Sequence, residues 1–173
     1  MNLLESFKPV STLIFDIDGV LTDGGILVFE NGEQVRTMSV KDGYALQLAI
    51  KKKYRVVVIS GGNGLGAEVR LQKLGVHHIF LNVKDKAQLL EDFLILHHVT
   101  WTETLYMGDD IPDLPPMKKS GMPCAPADAA PEILQSARYI SPYGGGKGCV
   151  RDVIEKLLRL HGNWDLEPTI PSH

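Results

Sequence analysis

Residues 11–25 read Ser11-Thr-Leu-Ile-Phe-Asp-Ile-Asp-Gly-Val-Leu-Thr-Asp-Gly-Gly25. The first five are apolar or β-branched and predict a short buried strand. At Asp16 the character changes: two carboxylates, Asp16 and Asp18, stand one residue apart and run into glycines. Carboxylates just past a buried strand are costly unless they meet a cation or a polar site. An Asp16 turned into such a site can attack phosphorus as a nucleophile, with Asp18 as proton donor. On its own the pair also reads as two solvated turn aspartates.

The same strand signature recurs along the chain. Arg55-Val-Val-Val-Ile-Ser60 runs into Gly61 and Gly62, and His78-Ile-Phe-Leu81 precedes Lys84 and Lys86. Thr104-Leu-Tyr-Met107 ends in Gly108-Asp-Asp-Ile-Pro-Asp113, and smaller strands are expected at Met122–Ala125 and Tyr139–Ile140. Between them, helical spacing marks Asp42–Lys52, Leu65–Leu74, Ala87–His97, a short helix through Met117, Pro131–Ala137 and an amphipathic Val150–His161. This alternation predicts an α/β fold, an open and mostly parallel Rossmann-like sheet with helices on both faces. Right-handed crossovers then bring the C-terminal strand ends to one edge, where ligands bind. Asp16, Ser60 and Asp109 all sit at such ends.

One insertion interrupts the pattern. Residues 22–38 contain Ile26–Glu30, then Asn31-Gly32, then Glu33–Met38, a hairpin with a two-residue turn by its sequence. With 173 residues and 44% hydrophobic composition, the expectation is one domain over 1–173, with a polar, proline-containing tail at 162–173. The formal net charge of −3 supplies no field for nucleic acid or an anionic membrane, and no basic stripe carries interleaved aromatics. No apolar run is long enough to span a bilayer, and the N-terminus lacks a signal-peptide pattern. Two widely spaced cysteines, Cys124 and Cys149, point to a reducing, cytoplasmic setting.

Asp109, Asp110 and Asp113 raise the number of carboxylates at the strand ends to five, and such a cluster calls for a hard cation. Oxygen ligands beside a phosphate favour Mg²⁺. Direct ligation is assigned to Asp16, Asp109 and the backbone carbonyl of Asp18. Asp113 would support them by holding water or a lysine, and Asp110 reads equally as a cap for the following turn. Ser60, followed by free backbone N–H groups at Gly61 and Gly62, suits a phosphate oxygen, although alone it reads as a turn residue.

Together, FDIDGVLTDG, VVVISGG, the lysine of VKDKAQLL and YMGDDIPDLPPM resemble the four motifs of the haloacid dehalogenase superfamily. The resemblance implies an aspartyl-phosphate on Asp16, acid and base work by Asp18, and phosphoryl contacts from Ser60 and Lys86. The DGVLTDG run, the hairpin, Lys41-Asp-Gly-Tyr-Ala45 and Gly144-Gly-Gly-Lys-Gly148 are similar to the small, capless 3-deoxy-D-manno-octulosonate 8-phosphate phosphatases. Those enzymes release an eight-carbon sugar acid for the lipopolysaccharide inner core and assemble as homotetramers through their hairpins. A sugar acid carboxylate calls for further cations, and Lys41, Arg70, Lys147 and Arg151 are the candidates. Gly62 departs from the pattern: members often carry arginine or lysine there, and relatives acting on a nine-carbon sugar acid 9-phosphate carry glutamate. The nine-carbon substrate is therefore the alternative, followed by a non-enzymatic oligomerisation module.

Overall fold

The strand that opens the chain, β1 (Thr12–Phe15), is buried at every residue because helices cover both of its faces. The computed structural model describes residues 3–171. Met1, Asn2, Ser172 and His173, expected as the ends of the domain and its tail, lie outside the described residues. A short helix α1 (Leu3–Phe7), not expected from the sequence, precedes β1 and buries Phe7. The hairpin strands β2 (Leu27–Val28) and β3 (Gln34–Val35) follow, then β4 (Arg55–Ile59), β5 (His78–Phe80), β6 (Thr104–Met107), β7 (Met122–Ala125) and β8 (Tyr139–Ile140). Among the described residues, six of these form one parallel sheet in the order β5-β4-β1-β6-β7-β8.

Side chains alternate across this sheet, as strand geometry requires. Leu13, Phe15, Val56, Val58, Leu105 and Met107 pack with α1, α2 (Val40–Lys51), α3 (Leu65–Lys73) and α7 (Cys149–Leu160). Ile14, Val57, Ile59 and Tyr106 pack with α4 (Lys86–Leu96), α5 (Leu114–Lys119) and α6 (Pro131–Ser136) on the opposite face. Each fully buried aliphatic or phenyl side chain contributes about 1.5–3 kcal/mol, so two covered faces explain why the strands read as unbroken apolar runs. The α/β architecture expected from the sequence is the one observed.

The order of connection matters more for function than the order of strands. From β1 the chain moves outward through β4 to β5, then returns to the other side for β6, β7 and β8. The crevice of such a sheet opens where the direction reverses, between β1 and β6. Phe15 lies opposite Met107, and the Asp16 N–H donates to the Met107 carbonyl at 3.1 Å. The acids after these two strands must therefore emerge side by side.

The hairpin departs from its expected form. Its ladder is confined to Leu27–Val35 and Val28–Gln34, with a separate bridge between Thr22 and Met38. The Phe29 N–H donates to Glu33 and the Gly32 N–H returns to Phe29, so three residues turn the chain and only Gly32 is left-handed. A three-residue loop with glycine in that position is the other common hairpin closure. Leu27 and Val28 remain 61% and 63% exposed, with Ile26, Phe29 and Val35 exposed beside them.

Helix α2 begins at Val40, not Asp42, because the Ser39 hydroxyl accepts the Asp42 N–H and caps the first turn. The tail lies back across that helix. Trp164 meets Tyr44 edge to face, the Tyr44 hydroxyl bonds the Glu167 backbone, and Lys51 and Lys52 pair with Glu167 and Asp165. No helix among the described residues is long and apolar enough to cross a membrane.

Candidate active site

After β1 the chain makes one wide turn, Ile17–Leu21, closed by the Thr22 N–H donating to the Ile17 carbonyl, with non-helical backbone at Asp18 and Gly19. Gly19 is left-handed there, with φ at 86°, and a β-carbon on it would fall 1.9 Å from Asp109 Oδ2. Only glycine lets this turn and the Asp109 carboxylate occupy the same corner. Across the crevice, Gly108 leads into a single 3₁₀ turn at Ile111–Asp113, with Asp110 as its cap: the Asp110 side chain accepts the Ile111 N–H at 2.8 Å. The capping alternative for Asp110 is thus the geometry observed.

Asp16, Asp109 and Asp113 offer carboxylate oxygens within 4.8 Å of one another, the one such acid cluster among the described residues. Lys86, the first residue of α4 and buried, bridges two of them, at 2.9 Å from Asp16 and 2.7 Å from Asp113. Asp113 is further tied down by the Tyr106 hydroxyl at 2.5 Å and the Asp109 N–H at 3.1 Å. It holds the lysine, as expected, while also facing the other two acids.

The electrostatics follow from this crowding. Burial and the adjacent Asp113 push the Asp16 carboxyl up to about 7, with Lys86 pulling the other way. Burial, then Asp16, Asp113 and Asp110, push Asp109 up to about 7 as well. For Lys86, burial opposes the charged form, but the two carboxylates outweigh it and its pKa is raised. Burial and Asp113 hold the Tyr106 phenol well above its ordinary value, so it acts as a donor. Three carboxylates against one ammonium leave two negative charges unbalanced when fully ionised. An all-oxygen donor set with that excess fits one hard divalent cation.

The acids open into a cavity of about 420 Å³ that is also lined by Asp18, Ser60, Gly61, Gly62, Lys84, Asp110 and Pro112. Ser60 follows β4, and its hydroxyl accepts the Gly62 N–H at 3.1 Å, so that N–H is not the free donor the sequence suggested. Lys84 stands exposed at the rim. None of the four candidate sugar-binding cations lines this cavity. Lys41, Lys147 and Arg151 line a separate groove along α7 with Tyr143 and Arg159, and Arg70 lines another beside Gln34 and Arg36. The glycine-rich loop before α7 packs its backbone on the turn after β1, with the Gly146 N–H donating to the Val20 carbonyl at 2.9 Å.

Sequence reading missed Arg36. Its Nε donates to Asp18 Oδ1 at 2.6 Å and its Nη2 to Oδ2 at 3.3 Å. Arg36 is the one cation in residues 22–38, and that was the available signal.

No protein-family model matches the chain. It is 35% identical over 164 residues to the 3-deoxy-D-manno-octulosonate 8-phosphate phosphatase KdsC of Escherichia coli strain K12, covering 95% of this chain and 87% of the relative. The chain belongs to the 3-deoxy-D-manno-octulosonate 8-phosphate phosphatase family. Among solved structures, the family member from Yersinia pestis superposes with a TM-score of 0.90 at 31% identity, covering 93% of this chain and 87% of that one. The Moraxella catarrhalis member, in complex with magnesium, phosphate and the sugar acid KDO, gives 0.90 at 27% identity, over 93% and 92%. The family is one of haloacid dehalogenase-type phosphatases, and the buried acid cluster is capable of coordinating a divalent metal.

Proposed function

We propose that this chain hydrolyses 3-deoxy-D-manno-octulosonate 8-phosphate to the free sugar acid and phosphate, with Asp16 as nucleophile. The carrying observation is the meeting of Asp16 with Asp109 beside Lys86, at the crevice between β1 and β6. An Asp16 carboxylate oxygen attacks phosphorus, the bond to the sugar oxygen breaks, and that oxygen takes the proton of the Asp18 carboxyl. Asp18, now a carboxylate, removes a proton from water as the water oxygen attacks the aspartyl-phosphate. The phosphorus–Asp16 bond then breaks, and phosphate leaves with the nucleophile restored. Lys86 and Ser60, with the N–H of Gly61, hold the phosphoryl oxygens, while the Gly62 N–H donates to Ser60 Oγ and orients it. Asp16, Asp109 and the Asp18 carbonyl would hold Mg²⁺, which would neutralise charge on the acids and on the phosphoryl group when bound. Asp113 keeps Lys86 in place, and the buried free thiols Cys124 and Cys149 support a cytoplasmic setting.

The test is phosphate release from a panel holding both the eight-carbon 8-phosphate and the nine-carbon 9-phosphate. A kcat/KM at least tenfold higher for the eight-carbon compound is expected. Preference for the nine-carbon compound overturns the substrate, and Gly62, which offers no charged side chain to either tail, keeps that reading open. No turnover of either leaves the oligomerisation module.

Metal loading should be linked to pH in a stated direction. Asp16 and Asp109 retain protons near pH 7 when no ion is bound, and an ion must displace them. Calorimetric titration of magnesium chloride at pH 7, in buffers of different ionisation enthalpy, should report release of on the order of one proton. Apparent affinity should fall as pH drops below 7, and the release should fade above pH 8. A pH-independent affinity from 6 to 8 would contradict the cluster as the binding place.

We place the exposed hairpin against a second copy of the chain, in a homotetramer. The support is the apolar row Ile26, Leu27, Val28, Phe29 and Val35, which the protomer leaves uncovered. Lys41, Arg70, Lys147 and Arg151, which line other grooves of this chain, would then act on sugar bound in a neighbouring protomer. Phe29→Glu should shift the sedimenting species below the tetramer and lower turnover with it. An unchanged tetramer would reject the hairpin as the interface.

A further inference from the structure

We infer that Arg36 is the positioning residue of Asp18, so that the seating of the hairpin is a condition for proton transfer at the reacting phosphate. The inference rests on the aspartyl-phosphate reading above and assigns a role to a residue outside its machinery.

Val35 is the last residue of β3 and Arg36 follows it, and the two side chains lie in opposite environments. Val35 faces outward, whereas the Arg36 side chain is 8% exposed and its fork closes on both oxygens of Asp18. Asp18 itself lies in the turn after β1, with its side chain 31% exposed on the cavity side. A carboxylate in that place has two free torsions, and several rotamers would carry it away from phosphorus. Two parallel N–H donors on a planar guanidinium fix both torsions at once, which a single ammonium cannot do. An exposed ion pair contributes little, but here the cation is enclosed.

Residue 62 closes the arrangement from the other side. A β-carbon on Gly62 would lie 3.4 Å from Asp18 Oδ2, 3.7 Å from Ser60 Oγ and 3.8 Å from Arg36 Nη2. Carboxylate, hydroxyl and guanidinium thus border one small volume, which glycine leaves open to the substrate. Arg36 does not touch Asp16 or Lys86 in the hydrogen-bond network, so its removal should spare phosphate binding and impair the proton steps.

Steady-state kinetics of Arg36→Ala and Arg36→Lys test this, on the sugar acid phosphate and on p-nitrophenyl phosphate, with sedimentation of each variant. Expected for Arg36→Ala are a kcat lower by about 10²-fold, a KM within threefold of wild type, and recovery of kcat when guanidinium chloride is added but not when sodium chloride is. Arg36→Lys should recover only part of the loss. A kcat within threefold of wild type in Arg36→Ala overturns the proposal. So does a loss that guanidinium leaves unrepaired, or one expressed mainly in KM. The aryl phosphate keeps the two readings apart, because its hydrolysis also needs a proton removed from the attacking water. If the sugar acid assignment alone is wrong, the variants keep the same ranking on p-nitrophenyl phosphate.

Discussion

Asp16→Asn should fold as the wild type does and lose turnover by 10⁴-fold or more. On the proposed mechanism this change removes the oxygen that bonds to phosphorus, and loss of a nucleophile is among the largest single-residue effects in catalysis. The shape of the side chain is kept, and stability should not suffer. Burial and Asp113 raise the Asp16 pKa to about 7, above its unfolded value, so any stabilisation relative to the unfolded chain is present at low pH and lost as pH rises through 7. Above that pH the neutral amide relieves a repelling charge, and the melting temperature of Asp16→Asn should equal or exceed that of wild type. Thermal denaturation at pH 8 and a phosphate-release assay check both halves. Retained turnover in a folded variant would show that another group attacks phosphorus.

Gly145→Ala should damage the enzyme almost as visibly, although Gly145 lines no part of the acid cavity. A β-carbon there would lie 2.0 Å from the Gly19 carbonyl oxygen and 2.7 Å from that of Thr22. Both are backbone atoms of the turn that carries Asp18, so no side chain can rotate away to make room. Overpacking of this kind costs about 1–3 kcal/mol, and a displacement near 1 Å at a reacting group costs about 10²-fold in rate. A lower melting temperature together with a kcat reduced by about 100-fold is expected. Gly66→Ala is the control: nothing lies within 4 Å of its added carbon, and alanine inside α3 should be neutral or stabilising by up to about 1 kcal/mol. Equal behaviour of the two variants would disprove the packing argument.

The contrast between these two sites marks what a single sequence can disclose. Asp16, Ser60 and Asp109 were legible because each ends an apolar run, and a run buried on both sides has no polar residues to blur its boundary. Lys86 was separable from Lys84 only through the family pattern; the structure supplies the physical difference, one amine buried between two carboxylates and the other at the rim. Arg36 was hidden for a different reason. Its contact with Asp18 depends on how the hairpin folds over the turn, a matter of angle and not of spacing. Lys41, Lys147 and Arg151 had the right charge, but their location depends on how α7 packs beside α2, and that placed them together in another groove. The tail read as polar because Asp165 and Glu167 are charged. Their partners, Lys52 and Lys51, lie more than a hundred residues earlier.

The seam between β1 and β6 carries one more implication. It joins the two halves of the sheet, β5-β4-β1 and β6-β7-β8, and Asp16 and Asp109 project from opposite sides of it. A cation gripped by both acids would act as a rivet across that join, and its binding free energy would add to the cohesion of the whole molecule. Heating should then release the cation and part the two halves in one cooperative event.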